Sequence, residues 1–164
     1  MIVMGIDPGI ALTGYGILEK KGNNIVVVKQ GCIITKTSMK TSERLLFIYK
    51  ELVKIIKEFQ PDRIVIEELF FNKNAKTAIL VGQARGVAIL AAANLGINVW
   101  EYTPLQVKQA VVGYGRAPKN QVQEMVKLLL GLKEIPQPDD VADALAVALC
   151  HLNSWPMEKY MTER

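Results

Sequence analysis

Cysteine is scarce and long uninterrupted apolar runs are missing from this 164-residue chain. Its two cysteines, Cys32 and Cys150, sit in apolar surroundings and are expected to be buried free thiols, as in most intracellular proteins. The most apolar stretch, residues 75–96, is interrupted by Gln83, Arg85 and Asn94, which predicts a buried helix and no membrane span. There is also no internal repeat, low-complexity linker or recognisable signal peptide. These absences predict one cytoplasmic domain.

Half of the residues are apolar, which is enough to build a sizeable core in a single domain of this length. The formal net charge is +4 and the isoelectric point is about 9.0. This balance favours an anionic partner, although many basic proteins bind nothing acidic.

Apolar runs separated by turn residues predict five strands, at 2–6, 13–18, 25–34, 64–66 and 98–102. Helical periodicity, capping residues and first-turn prolines predict helices at 45–59, 74–95, from 104, at 118–131 and at 138–153. A meander followed by right-handed crossovers gives an α/β domain with a five-stranded mixed sheet and helices on both faces. The domain is expected to span 1–153, with 154–164 as a flexible polar tail.

Four acidic residues come from three separate segments that this fold would bring together. Asp7 ends the first strand and Glu67 ends the fourth, so both carboxylates would emerge at the carboxyl edge of the sheet if these strands are parallel neighbours. Asp140 and Asp143 are three residues apart and share one face of the last helix. Clustered carboxylates repel one another and suit Mg²⁺ or Mn²⁺. Two such ions can hydrolyse a phosphodiester.

These acids also have plainer interpretations. Asp140 and Asp143 could simply complement the dipole of their helix, and Asp7 could be an ordinary turn former before Pro8-Gly9. Glu67 is harder to explain otherwise, because it ends a run that should be buried. Its neighbour Glu68 alternates to the other side of the strand and is not expected to be a ligand.

Basic and aromatic residues are expected around the acidic edge, where cations can hold phosphates. The predicted basic nucleic-acid contacts are Lys73, Lys76, Arg85, Lys108, Arg116 and Lys119. A solvated helix face is the alternative, and spacing favours it for Lys76 and Arg85. Phe70 could stack on an unpaired base, but Phe70 or Phe71 could instead anchor in the core. The single histidine, His151, lies too far from Asp143 to share a metal and is interpreted as structural or incidental.

Small residues repeat every four positions along the predicted helix at 74–95, at Ala78, Gly82 and Gly86. This stripe would let another backbone approach closely. The approaching element could be the same helix of a partner subunit or a segment of the same chain.

An ordered set of motifs resembles the RuvC family of bacterial Holliday junction resolvases over nearly the whole chain. The motifs are Gly5-Ile6-Asp7-Pro8-Gly9, Thr13-Gly14-Tyr15-Gly16, Phe59-Gln60-Pro61-Asp62, Ile66-Glu67, Lys73-Asn74-Ala75, Gly82-Gln83-Ala84-Arg85-Gly86-Val87-Ala88, Gln106-Val107-Lys108-Gln109 and Ala142-Asp143-Ala144-Leu145-Ala146. A single Asp-Pro-Gly would carry little weight, whereas this series in this order is specific.

The resemblance implies a ribonuclease H-like fold and a homodimer that makes paired, magnesium-dependent nicks in opposed strands of a four-way DNA junction. The family's catalytic carboxylates correspond to Asp7, Glu67, Asp140 and Asp143, its loop aromatic to Phe70, and its basic site residues to Lys108 and Lys119. The branch-migration proteins RuvA and RuvB are the implied partners. Some members carry a catalytic histidine near the last acidic pair. Asp139 and Val141 flank Asp140 here, so that role is not carried over, and Asp139 receives none.

Three other functions deserve comparison. A nuclease of the same fold that acts on ribosomal RNA precursors is disfavoured by the Phe70 loop and by the Lys108 and Lys119 pair. An actin-like or sugar-kinase ATPase needs a second lobe, for which 164 residues leave no room. A non-catalytic junction-binding module is the least favoured, because four convergent acids would repel DNA.

Overall fold

A computed structural model describes the backbone of residues 1–68 and 75–162 and the side chains of 1–68 and 77–154. The elements are β1 (Ile2–Asp7), β2 (Leu12–Lys21), β3 (Asn24–Ile34), α1 (Thr41–Phe59), β4 (Arg63–Glu67), α2 (Ala75–Asn94), β5 (Val99–Tyr102), α3 (Pro104–Val112), α4 (Lys119–Leu129) and α5 (Asp139–Thr162). Every strand and helix predicted from the sequence is present.

The five strands form one mixed sheet in the order β3-β2-β1-β4-β5. Strand β1 pairs antiparallel with β2 and parallel with β4, and β4 pairs parallel with β5. The predicted α/β architecture is therefore confirmed, and β1 and β4 are central parallel neighbours.

Alternation along the strands separates two apolar layers. Met4 and Ile6 of β1 pack with residues of α1 and α2, whereas Val3 packs with residues of α3, α4 and α5. Helices thus cover both faces of the sheet. Because successive side chains point to opposite faces, Asp7 and Glu67 face the layer that contains α5.

Two glycines allow α5 to lie directly on the strands. A Cβ at Gly5 would overlap the carbonyl oxygen of Ala144, and a Cβ at Gly14 would overlap that of Asp140. Gly14 is also the residue of β2 that pairs with Asp7. The first turn of α5 is therefore held beside Asp7 by close backbone packing.

Helix α5 continues to Thr162, past the end at residue 153 that the sequence predicts. Pro156 has no N–H to donate to the carbonyl oxygen of Leu152, which would normally break the helix there. Lys20 Nζ donates to that oxygen at 3.1 Å, so the carbonyl keeps a partner. Whether residues 154–164 are flexible stays a prediction.

Helix α2 is only partly buried, so the prediction of a buried helix is wrong for one of its faces. Ala88, Ala91 and Ala92 pack in the α1 and α2 layer. Ile79 and Leu90 are 62% and 58% exposed on the other side. Within the described residues, Thr77–Asn94 is the one segment long and apolar enough to cross a membrane, by length and composition alone, and 22% of it is buried.

Candidate functional site

The parallel pairing of β1 and β4 places two acids at one edge of the sheet. Ile6 pairs with Ile66, and Asp7 and Glu67 follow immediately on their strands. Both belong to the face covered by α5, whose first turn contains Asp140 and reaches Gly14 beside Asp7. The structure therefore brings together the three segments that the sequence predicts to converge.

The charges of these acids raise one another's pKa values. Burial, and then the charges of Asp143, Asp140 and Glu67, together raise the pKa of Asp7 from its ordinary 3.8 to about 7, although Lys119 opposes the rise. Burial, and then the charge of Asp143, likewise raise the pKa of Glu67 from 4.5 to about 7. A carboxylate that resists ionisation at neutral pH is one that a nearby cation would stabilise strongly.

Lys119, the first residue of α4, supplies a cation at this edge. Its Nζ lies 2.9 Å from Asp143 Oδ2 and 3.4 Å from Asp139 Oδ2. Burial tends to lower the pKa of Lys119, but its hydrogen bonds and charge interactions with the two aspartates outweigh this and raise it. Burial raises the pKa of Asp143, and Lys119 opposes that rise.

A cavity of about 220 Å³ opens between the sheet edge and the helices α3, α4 and α5. It is lined by two acids, two lysines and four apolar residues: Glu67, Asp143, Lys108, Lys119, Pro104, Val107, Val122 and Ala146. Lys108 also lowers the pKa of Glu67 through its charge. The cavity therefore presents carboxylates and ammonium groups side by side on an apolar floor.

Local sequence explains how the two lysines reach the cavity. Thr103 caps α3 by accepting a hydrogen bond from the Gln106 backbone N–H at 3.2 Å, and Pro104 occupies the first turn. This fixes the start of the helix that presents Lys108. Pro118 occupies the cap position of α4, so Lys119 lies at that helix's N-terminal end.

The donor set fits a hard divalent cation, because it consists of carboxylates whose charges are poorly compensated within the fold. Among the side chains that the structure describes, no three acidic, histidine or cysteine groups are already gathered as a complete metal site. Mutual repulsion disfavours such a gathering without a cation. The acids whose charges act on Asp7 at this edge are Glu67, Asp140 and Asp143.

His151 is buried in a cluster with Arg63, Trp100 and Tyr102. Arg63 Nη1 lies 3.4 Å from Nε2, and Tyr102 Oη lies 2.9 Å from Nδ1. Because arginine only donates, Nε2 accepts and the Nδ1–H donates to Tyr102. Burial, and then the charge of Arg63, lower the pKa of His151 to about 4, so the ring is neutral. Its interpretation as a structural residue agrees with this placement.

Comparison with known proteins identifies the family. The family model described as "Crossover junction endodeoxyribonuclease RuvC" matches residues 3–151. A protein of that name from Ruminiclostridium cellulolyticum is 64% identical over 157 residues, which cover 96% of this chain and 95% of that protein. The chain belongs to the RuvC family.

Solved RuvC structures superpose closely on this chain. The Thermus thermophilus RuvC structure has a TM-score of 0.88 and 38% sequence identity, and covers 96% of this chain and 97% of its own. The structure of T. thermophilus RuvC in complex with Holliday junction substrate has a TM-score of 0.88 and 35% identity, with 96% of each chain covered. The resemblance noted in the sequence is thus confirmed, and as a RuvC family member the chain is a nuclease.

The predicted nucleic-acid contacts divide into three groups. Lys108 and Lys119 line the acidic cavity, and Arg116 is exposed in the loop before α4. Arg85 does not lie on a solvated helix face, since its side chain is only 12% exposed, and its contact with DNA stays a prediction. Its Nη2 lies 2.6 Å from Glu101 Oε2, so it ties α2 to β5. Phe70, Phe71 and Lys73, together with the side chain of Lys76, lie outside the described residues.

Sequence reasoning missed three features of the site. The Tyr102–His151 hydrogen bond joins the end of β5 to α5. Glu101 neutralises Arg85, although nothing in the spacing of the two residues announces the pair. The ion pair between Lys119 and Asp139 was also unforeseen. The glycine at position 14, already present in the family motif, is the one signal that could have revealed how closely α5 approaches β2.

Proposed function

We propose that this chain resolves four-way DNA junctions by paired, symmetric nicks in DNA recombination and repair, as a homodimer that requires divalent metal. The convergence of Asp7, Glu67, Asp140 and Asp143 beside two lysines carries this proposal. A pure binding module would gain nothing from acids that repel DNA, whereas a phosphodiesterase needs them.

The four carboxylates would hold Mg²⁺, with two ions per site and Mn²⁺ as a substitute. When bound, such ions supply an activated water and stabilise the leaving oxygen of the phosphodiester. Lys108 and Lys119 place positive charge beside the acids, where they would hold the scissile phosphate. The apolar floor formed by Val107 and Val122 limits water around the reacting group.

DNA is expected to extend from the cavity over the basic residues nearby. Arg116 is exposed in the α3–α4 loop, three residues before Lys119. Phe70 is a proposed contact on family resemblance, and Lys73 and Lys76 are proposed because the sequence predicts them near the acidic edge. Arg85 would have to release Glu101 to join them. The Phe70 ring would stack on a base exposed at the junction centre.

The exposed face of α2 supports the homodimer. Ile79 and Leu90 are exposed there, and a Cβ at Gly86 would meet no atom within 4 Å. The second protomer is expected to cover this face, because a two-fold symmetric junction needs two equivalent active sites. Family resemblance further suggests RuvA and RuvB as partners. A cytoplasmic location and a nuclease domain at 1–153 with a flexible tail are proposed from the sequence pattern.

A substrate panel tests the activity. The panel comprises a four-way junction, plain duplex DNA, an RNA–DNA hybrid and single-stranded RNA, each with Mg²⁺ and with a chelator. Two symmetric nicks on the junction alone, lost with the chelator, are the expected result. Comparable cutting of the hybrid or of single-stranded RNA would favour a different nuclease of the same fold.

Amide variants test the acids. Asp7→Asn, Glu67→Gln, Asp140→Asn and Asp143→Asn should each abolish cleavage while junction binding persists or tightens, because each loses a metal ligand and a negative charge. Glu68→Gln is the matched control, since Glu68 follows Glu67 directly but is exposed and has the opposite alternation. Normal cleavage by Asp143→Asn in Mg²⁺ would contradict the assignment of α5.

A further inference from the structure

Lys119 contacts two carboxylates of α5 at once. Its Nζ lies 2.9 Å from Asp143 Oδ2 and 3.4 Å from Asp139 Oδ2. The two aspartates are four residues apart, which places them on one face of the helix. Asp143 is among the proposed metal ligands, whereas Asp139 has no part in the proposed chemistry and its side chain is 53% exposed.

Metal binding would disturb the contact of Lys119 with Asp143 but not its contact with Asp139. A lysine ammonium 2.9 Å from Asp143 Oδ2 and a divalent ion on the same carboxylate would repel each other strongly at such separations. Lys119 must therefore withdraw from Asp143 when that residue takes up metal. Its flexible four-carbon stem allows the ammonium to pivot, and Asp139 Oδ2 already lies within 3.4 Å.

We propose that Asp139 is a positioning residue that retains Lys119 at the cavity when Asp143 binds metal. This inference rests on the metal-dependent function proposed above. Asp139 lowers the cost of detaching Lys119 from Asp143 and keeps the ammonium where a phosphate would approach. In its absence Lys119 would either stay on Asp143 and compete with the metal, or swing into solvent.

A simpler effect of Asp139 must be separated from this one. As an acid in the first turn of α5, Asp139 also stabilises the helix and attracts cations through its charge alone. Neither of those effects depends on Lys119. A double-mutant cycle over Asp139 and Lys119 therefore isolates the part of the Asp139 effect that depends on retaining Lys119.

The test measures Mn²⁺ binding by calorimetry without DNA, for the wild type, Asp139→Asn, Lys119→Gln and the double variant. Lys119→Gln should raise Mn²⁺ affinity about fivefold, because a competing cation is removed. Asp139→Asn should lower the affinity about fivefold when Lys119 is present and about twofold in the Lys119→Gln background. The difference is small because the contacts are partly exposed to solvent.

Cleavage provides the second readout. At saturating Mg²⁺ the Asp139→Asn protein should cut the junction more slowly, and Asp139→Glu should restore both the rate and the Mn²⁺ affinity. Equal losses of affinity in the two backgrounds would overturn the inference and leave Asp139 acting through its charge alone. A wild-type protein that binds no Mn²⁺ would instead refute the metal dependence of the proposed function, and this inference with it.

Discussion

Replacing Asp7 by asparagine should stabilise the metal-free protein at pH 8. The pKa of Asp7 rises from 3.8 to about 7 on folding, first because of burial and then because of three neighbouring acids. At pH 8 the carboxylate is ionised in both the folded and the unfolded protein. Its charge is less favourable in the folded protein, which lowers the free energy of unfolding. A rise of this size corresponds to about 4 kcal/mol. Because Asp7 is partly exposed, we expect about 1–2 kcal/mol.

The effect of Asp7 on stability depends on pH because the folded and unfolded proteins release its proton at different pH values. Well below pH 3.8, Asp7 is protonated in both the folded and the unfolded state and does not affect stability. Between pH 4 and 7 the unfolded chain releases the proton first, so rising pH favours unfolding, and the penalty is complete above pH 7. The advantage of Asp7→Asn over the wild type should therefore be small at pH 4.5 and grow to its full value by pH 8.

Thermal unfolding in a chelating buffer measures this difference. An advantage of about 1–2 kcal/mol corresponds to a melting temperature about 2–8 °C higher for a domain of this size. Addition of Mg²⁺ should then raise the melting temperature of the wild type and leave that of Asp7→Asn nearly unchanged. Glu68→Gln serves as the control and should match the wild type throughout. An Asp7→Asn protein that melts below the wild type at pH 8 would refute the argument.

Three further outcomes are expected. Gly14→Ala should cost about 1–3 kcal/mol of stability and abolish cleavage, because its Cβ would displace the first turn of α5; a normal melting temperature would contradict this. Leu90→Glu should weaken dimerisation about tenfold in sedimentation, while Leu128→Glu, 67% exposed on α4, should not. Phe70→Ala should slow cleavage of the intact junction about 10- to 100-fold and cut one with unpaired central bases normally. Early melting of Phe70→Ala but not of Phe71→Ala would make Phe70 a core residue.

The strands and the acids could be predicted because their signals are local. Asp7 and Glu67 each end a short apolar run, and alternation along a strand decides which face each side chain shares with α5. Thr103 as the N-cap and Pro104 in the first turn likewise predict where α3 begins. Such features depend on a few consecutive residues, so one sequence is enough to recover them.

The pairings between distant residues could not be predicted in the same way. An arginine on a helix and a glutamate on a strand are both common, so neither Arg85 nor Glu101 indicates a partner. Only the packing of α2 beside β5 brings Arg85 Nη2 to 2.6 Å from Glu101 Oε2. Likewise, half-burial of α2 depends on which of its faces meets α1 and the sheet. Helical periodicity did not distinguish these faces, because both are apolar.

The precision of the site depends on two kinds of constraint that act on different acids. Strand pairing fixes Asp7 and Glu67, since neither can shift without breaking the register between β1 and β4. Asp140 and Asp143 have no such ladder and depend on how α5 seats on the strands. That seating is set by backbone contact at Gly14 at one end of the helix. Farther along, it is set by the hydrogen bond from buried His151 to Tyr102, the residue that pairs with Glu67. The histidine therefore contributes to the site without reaching it, because the element it anchors carries half of the acids.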